Sequence, residues 1–245
     1  MTTTPPPAPR APAPCGSIDS GGADPVGTVI GVLGGTGDQG RGLARRLGLA
    51  GYAVILGSRD AARARAAAAS LAVAGPGSIR GTDNTSCARD ADVIIAAVPW
   101  TGHRDLLASV RAELIGKVVV DCVNPLDFDK QGAFALAVEE GSACQQAQAL
   151  LPASTVVGAF HHLSAPLLLD PAMDRIDTDV LVVGDDRAAT DLVQALASSI
   201  PGMRGIYAGR LRNAGQVEAV TANLISVNRR YKAHAGLRVT DVPEP

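Results

Sequence analysis

The run TVIGVLGGTGDQG, residues 28–40, decides the fold. Its first half is a short apolar stretch of the kind a buried strand shows. Its second half holds Gly35, Gly37 and Gly40 in the G-x-G-x-x-G spacing. Residues on to Ala50 follow a helical pattern, with Leu43 and Leu47 on one face and arginines on another. The spacing alone says little, but strand, glycine turn and helix in that order give it meaning. Gly35 permits a tight turn, Gly37 lets main chain approach a pyrophosphate, and Gly40 lets helix and strand pack closely. The helix N-terminus adds unpaired N–H groups and a positive dipole end. The stretch reads as the phosphate grip of a dinucleotide site.

Working outward, Tyr52–Leu56 is a second apolar run that ends in LGSRD, residues 56–60. An NAD site places Asp or Glu at this strand end, against the ribose 2′-hydroxyl. Here Gly57 and Ser58 occupy it, Arg59 follows, and Arg63 lies one helical turn on. A hydroxyl and a guanidinium suit a 2′-phosphate, which Arg59 meets with paired N–H donors. The expected cofactor is NADP(H). Asp60 is the competing feature, either a ribose ligand or an ordinary helix cap.

Further along, Ala61–Leu71 is helical by propensity, a weaker strand lies near Ile79, and Val93–Val98 is a strand ending at Pro99. A helix over His103–Leu114 and a strand over Lys117–Cys122 follow, the latter running into Asn124 and Pro125. Alternating strands and helices imply a parallel sheet with right-handed crossovers. The carboxyl ends of its strands form the ligand crevice. Val98, Pro99, Trp100 and Asn124 are therefore expected around a nicotinamide, with Asn124 suited to its carboxamide. Trp100 is either a wall of the site or simple packing, and His103 either a helix cap or a cofactor contact. Residues 126–154 are polar and mixed, with a helix near Cys144–Leu151. Strands at Thr155–Ala159, Val180–Val183 and Gly205–Tyr207, a helix at 187–199 and a long helix from Leu211 to Tyr231 complete the reading. The expected fold is α/β: a Rossmann-type, doubly wound parallel sheet over residues 28–154, with a smaller C-terminal α/β lobe over 155–245. Residues 1–27, rich in Pro, Ala, Gly and Ser, bury too little to offset their ordering entropy and read as a disordered tail.

Composition narrows the function classes. The chain has 245 residues and a net charge of -2, so no charge excess points to nucleic acid or a membrane surface. Apolar runs such as Val93–Val98 are too short to span a bilayer, and the N-terminus lacks the apolar stretch of a secretory signal. Cys15, Cys87, Cys122 and Cys144 form no Cys-x-x-Cys pair and no Cys/His cluster. They read as reduced thiols in a cytoplasmic protein, with no metal site.

With those residues in hand, several stretches fall together: VLGGTGDQGRGLARRL (32–47), VILGSRD (54–60), VPW (98–100), GAFHHLSA (158–165), VVGDD (182–186) and LRNAGQVEAVTANLISVNRRYKAHAG (211–236). In this order the chain resembles the NADPH-dependent coenzyme F420 reductases, or F420H2:NADP+ oxidoreductases, over nearly everything after residue 27. The resemblance implies a Rossmann domain plus a smaller lobe with the deazaflavin in the cleft between them. It implies NADP contacts at Thr36, Gly37, Asp38 and Gln39, with Ser58, Arg59 and Arg63 around the 2′-phosphate. It adds Val98, Asn124 and Ala165, and sets the deazaflavin beside His161 and Leu163 in the HHLSA loop. The chain departs from the archaeal pattern at His162 and Ser164, and by one extra residue between Trp100 and His103.

The implied reaction passes a hydride between C4 of the nicotinamide and C5 of the deazaflavin. The protein's main task is then to hold two rings at about 3–3.5 Å in a dry cleft. His161 either supports charge on the deazaflavin or only packs and orients it. Residues 201–239 hold Arg204, Arg210, Arg212, Arg229, Arg230, Lys232 and Arg238 against Glu218 alone. This basic end either attracts the anionic tail of the coenzyme or is a solvated helix face. The apolar residues Leu211, Val217, Leu224 and Ile225 form either a homodimer seam or core. Two rivals stand beside this reading. A carbonyl or imine reductase needs a proton donor such as Tyr or Lys, but Tyr52, Tyr207 and Tyr231 lie in no Tyr-x-x-x-Lys pattern. A non-catalytic NADP(H) sensor would show the same glycine and arginine signatures.

Overall fold

A computed structural model describes residues 27–71 and 77–242; all of the N-terminal tail but Gly27 lies outside the described residues. The chain opens with β1 (Val29–Leu33), α1 (Asp38–Leu49), β2 (Ala53–Ser58), α2 (Ala61–Ser70) and β3 (Ser78–Asp83). Then come α3 (Asn84–Asp90), β4 (Val93–Ala96), α4 (Trp100–Ser109) and β5 (Val118–Asp121). A hairpin of β6 (Leu126–Asp129) and β7 (Gly132–Ala135) leads to α5 (Ala143–Leu150), β8 (Thr155–Gly158) and α6 (Ala165–Leu169). β9 (Thr178–Gly184), α7 (Arg187–Ser198), β10 (Met203–Gly209) and α8 (Ala214–Tyr231) complete it.

Eight strands make one sheet in the order β10-β9-β8-β5-β4-β1-β2-β3. All neighbouring pairs are parallel except β8 with β9. The order reverses between β1 and β4, the switch point where such sheets take ligands. The smaller C-terminal α/β lobe is an extension of this sheet: β8 pairs with β5, and the ladder crosses residues 154–155 without interruption.

Strand alternation feeds a core on each face. Ile30, Val32, Val54 and Leu56 pack with Leu43 and Leu47 of α1 on one side. Leu33, Ile55 and Ile94 pack with Leu107 and Leu114 on the other. Each is fully buried or nearly so, and cutting one leucine to alanine costs about 2–5 kcal/mol. The arginine face of α1 is partly buried. Arg46 is buried and donates to the carbonyls of Leu167, Leu168, Asp170 and Met173. It thereby satisfies the open carbonyl end of the short α6, which has too few residues to hold itself.

Four elements escape the sequence pattern: α3, α6 and the two hairpin strands. α3 has seven residues and stands on its cap, where Asp83 accepts from Ser86 N at 2.8 Å. The hairpin strands have four residues each and are mostly exposed, so no alternation marks them. Asp129 ties their turn by accepting from the N–H groups of Gln131 and Gly132. α4 starts at Trp100, directly after Pro99, three residues before the expected His103. One strand in from the β10 edge, Asp179 on β9 fastens the C-terminal segment. Its carboxylate takes two bonds from Arg204 at 2.7 Å, one from Arg238 at 3.0 Å and one from Val239 N at 2.6 Å. Among the described residues, no helix is long and apolar enough to cross a membrane.

Candidate functional site

A cleft of about 650 Å³ runs over the carboxyl ends of β1, β4, β5 and β8. The glycine turn closes one end with Gly37, Asp38 and Gln39. Ala97–Trp100, Cys122–Asn124 and His161–Ser164 line its length. Thr221 and Leu224 of α8, with His234 and Ala235 of the C-terminal segment, form the other wall.

The turn needs its glycines for steric reasons. A Cβ on Gly35 would lie 2.7 Å from Leu56 Cδ2 and 2.8 Å from the Val32 carbonyl, and one on Gly40 would lie 2.8 Å from Gly35 Cα. Gly37 is exposed and caps α1 without any side-chain bond, which leaves first-turn N–H groups available to an anion. Asp38 is drawn aside into an ion pair with Arg41 at 2.9 Å. At the end of β2, Ser58 is nearly buried, while Arg59 and Arg63 are exposed and unpaired among the described residues. Asp60 caps α2, accepting from Ala62 N at 2.8 Å and Arg63 N at 3.3 Å. Its competing role as a ribose ligand therefore meets a carboxylate already engaged.

The middle of the cleft is tied together by side-chain amides. Gln39 Nε2 donates to the Phe160 carbonyl at 3.1 Å, joining the glycine turn to the loop after β8. Phe160 is fully buried and holds a left-handed backbone, φ 63°, unusual for a bulky residue and costing about 1–3 kcal/mol. Asn124 Nδ2 donates to the His161 carbonyl at 2.7 Å, and Thr221 Oγ1 donates to the same oxygen at 3.2 Å. Asn124 Oδ1 is left buried without a partner among the described residues. An orphaned acceptor in a ligand cleft suits an N–H donor such as a carboxamide.

His161 and His162 are 3 % and 4 % exposed. Burial pulls both imidazoles down to about 4, so both are neutral near pH 7. His161 Nε2 stands 3.6 Å from Cys144 Sγ, and His162 Nε2 accepts from Leu181 N at 3.4 Å. Each leaves Nδ1 without a partner among the described residues. Leu163 lines the cleft beside them, and Ser164 Oγ meets His234 Nδ1 at 3.1 Å across it. Ala165 opens α6; its neighbours Ser164 and Pro166 line the cleft.

His103 is placed elsewhere than expected. It is fully buried, does not line the cleft, and is not the cap of α4. Its Nε2 meets Asp121 Oδ2 at 2.6 Å and its Nδ1 meets Gln146 Oε1 at 3.1 Å. Burial lowers its pKa, but the Asp121 carboxylate and both hydrogen bonds outweigh that, and the net direction is upward. Asp121 in turn accepts from Val123 N at 2.9 Å, fixing the turn that presents Asn124. Trp100 stacks obliquely on His103, centroids 5.5 Å apart, and also lines the cleft, so it packs and walls at once. Sequence reasoning missed Asp121, Cys144, Thr221 and His234, which no local motif marks. Asp121, Cys144 and His161 bring buried ligand-type atoms within 4.8 Å of one another, with both Asp121 oxygens already engaged by His103 and Val123. Of the tyrosines, Tyr52 is buried, Tyr207 and Tyr231 are exposed, and none lines the cleft.

Comparison with known proteins bears on what such a cleft holds. Residues 29–125 match the family model described as NADP oxidoreductase, coenzyme F420-dependent. The F420-dependent NADP reductase of Methanothermobacter thermautotrophicus is 40 % identical over 223 residues, 88 % of this chain and 96 % of that protein. Its namesake from Methanocaldococcus jannaschii is 36 % identical over 222 residues, 87 % of this chain and 98 % of that one. A crystal structure from Arthrobacter sp. FB24, provisionally assigned as an F420-dependent NADP reductase, superposes with a TM-score of 0.74 at 26 % identity, covering 87 % of this chain and 99 % of that chain. Likeness of this extent takes in both the glycine turn and the loop after β8, and the chain belongs to the F420-dependent NADP reductase family.

Proposed function

We propose that this chain transfers a hydride between NADP(H) and coenzyme F420, with the dinucleotide on the glycine turn and the deazaflavin against the HHLSA loop. One observation carries the reading: a single cleft has a dinucleotide turn at one end and that loop further along, and Gln39 ties them together. When both are bound, the nicotinamide C4 and the deazaflavin C5 supply the two carbon centres between which hydride passes. The residues then divide the work. Gly35, Thr36, Gly37, Asp38, Gln39 and Gly40 hold the pyrophosphate through main chain, and Ser58, Arg59 and Arg63 hold the 2′-phosphate. Val98, Pro99, Asn124 and Ala165 surround the nicotinamide, with Asn124 Oδ1 accepting from its carboxamide. Trp100, His161 and Leu163 pack on the deazaflavin and keep water out. His103 acts at one remove, through Asp121 and the Asn124 turn.

The neutral state of His161 favours an orienting or hydrogen-bonding role over a standing positive charge. On that reading turnover shows no His161 inflection between pH 6 and 8; an inflection abolished by His161→Ala would overturn it. The decisive assay mixes the protein with NADPH and oxidised F420 and follows bleaching of the deazaflavin absorbance, then repeats it with NADH. A sensor binds NADPH without bleaching. A carbonyl or imine reductase lacks a tyrosine donor in this cleft. Buried, unpaired Cys87, Cys122 and Cys144 suit a cytoplasmic setting. Leu211 and Val217 are buried within the chain itself, whereas Leu224 and Ile225 line the cleft, which supports core and cleft wall over a seam on that face. Support for a homodimer comes instead from exposed Phe134, Val227 and Tyr231, and sedimentation velocity tests it.

A further inference from the structure

A second groove of about 660 Å³ lies between the β6–β7 hairpin and the end of α8. It adjoins the main cleft, because Ile225 lines both. Three cations line it, Arg229, Arg230 and Lys232, against one acid, Asp129. All three are exposed, and none has a hydrogen-bond or ion-pair partner for its side chain among the described residues. Cations in the last turn of a helix also balance its dipole. That accounts for Arg229 and Arg230 as charges. It does not account for a groove beside them, nor for Lys232, which stands past the helix end in a left-handed conformation, φ 53°. That conformation turns the chain so that Ala233, His234 and Ala235 come back to the main cleft.

The main cleft therefore has two chemically distinct ends. The glycine turn, with Arg59 and Arg63 beyond it, is committed to a dinucleotide. The other end, at Ile225 and Asn228, opens beside three unpaired cations. A ligand whose ring system sits at the HHLSA loop would leave its trailing chain on this side. We propose that the groove binds that trailing chain and selects for phosphate and carboxylate groups carried on it. This rests on the hydride-transfer reading above, since it takes the ring-bearing ligand to be a deazaflavin with a phosphate and glutamate carboxylates. It goes further in giving Arg229, Arg230 and Lys232 a recognition role and in naming the part of the ligand they recognise.

The test is equilibrium binding, not turnover. Wild-type protein and an Arg230→Glu/Lys232→Glu variant are titrated calorimetrically with two probes: coenzyme F420, and its tail-free fragment of deazaflavin ring and ribityl chain. Both substitutions are on exposed side chains outside the ring site, and circular dichroism checks the fold. At low salt, wild type should bind the whole coenzyme roughly three- to tenfold more tightly than the fragment, in keeping with exposed charge pairs worth about 0.2–1 kcal/mol each. The variant should lose that preference, bind the fragment as wild type does, and show little further change in high salt. A variant that weakens both probes equally, or that changes only the sedimenting mass, overturns the assignment. Wild type that binds both probes equally refutes the groove alone. Wild type that binds neither and bleaches no F420 refutes the hydride-transfer reading, and the groove's ligand with it.

Discussion

Replacing Asp179 by Asn removes the charge that fastens the C-terminal segment, and the loss has a calculable size. Burial alone would raise this carboxyl, but Arg204, the Val239 N–H and Arg238 hold it at about 2, against 3.8 for a free side chain. That difference is worth roughly 2–3 kcal/mol of folding stability, at 1.36 kcal/mol per tenfold change in proton affinity. Because the folded value is depressed, the contribution is complete above about pH 4 and disappears as pH falls through about 2. The amide also leaves Arg204, whose side chain is only 7 % exposed, without its counter-charge. Breaking a buried pair from one side costs about 3–5 kcal/mol. For a chain of this size each kcal/mol moves the Tm by about 2–4 °C, so Asp179→Asn should melt on the order of 10 °C lower at pH 7. His234 and Ala235 line the cleft on the segment that Asp179 anchors, so KM for the deazaflavin should rise several-fold while that for NADPH stays put. Thermal denaturation by circular dichroism and steady-state kinetics with each substrate varied read the two effects. A Tm within a degree or so of wild type would refute the energetic argument. Equal rises in both KM values would refute the link to one end of the cleft.

Other substitutions probe the rest of the site. Gly40→Ala drives a Cβ to 2.8 Å from Gly35 Cα and should weaken NADPH binding at least tenfold in fluorescence titration; unchanged affinity would remove the turn as the phosphate seat. Arg59→Ala should cut the preference for NADPH over NADH by about 10- to 100-fold in kcat/KM, the scale of a hydrogen bond to a charged group, and an equal loss for both cofactors would contradict a 2′-phosphate role. Asp121→Asn should cost about 3–5 kcal/mol in a denaturant titration at pH 6 by stranding His103. Because His103 is shifted upward in the fold, wild type's advantage over that variant should be largest below about pH 6.5 and shrink as pH rises through the folded value; an advantage that grows with pH would count against the pairing.

Much of this was legible in the sequence because the physics is local. A glycine turn between an apolar run and an amphipathic helix has few meanings, and it directs attention to the carboxyl ends of the strands, to Ser58 at the end of β2 and to Val98 and Asn124 just past the ends of β4 and β5. The parts that stayed hidden depend on partners far along the chain. Asp121 meets His103 across 18 residues, His161 meets Cys144 across 17, and Asn124 meets His161 across 37. No periodicity records such encounters. His103 was misplaced because a histidine opening a helix beside a cofactor strand and a histidine buried under a tryptophan look alike in one dimension. A guanidinium inside the fold cannot be told from helical spacing; only the carbonyls at the end of α6 show why Arg46 is buried. The hairpin was invisible since four-residue strands exposed to water carry no alternating pattern.

The uninterrupted ladder from β1 through β4 and β5 to β8 acts as a ruler. At about 4.8 Å per strand, the strand that feeds the glycine turn and the strand that feeds the HHLSA loop are fixed roughly 14 Å apart by main-chain hydrogen bonds. A molecule made of two bodies hinged at a linker can squeeze its ligands together; one built on a common floor has no such stroke. On the proposed placement of the cofactors, alignment of the two rings is preset when the chain folds, and exchange of ligands falls to the loops and the terminal segment above that floor.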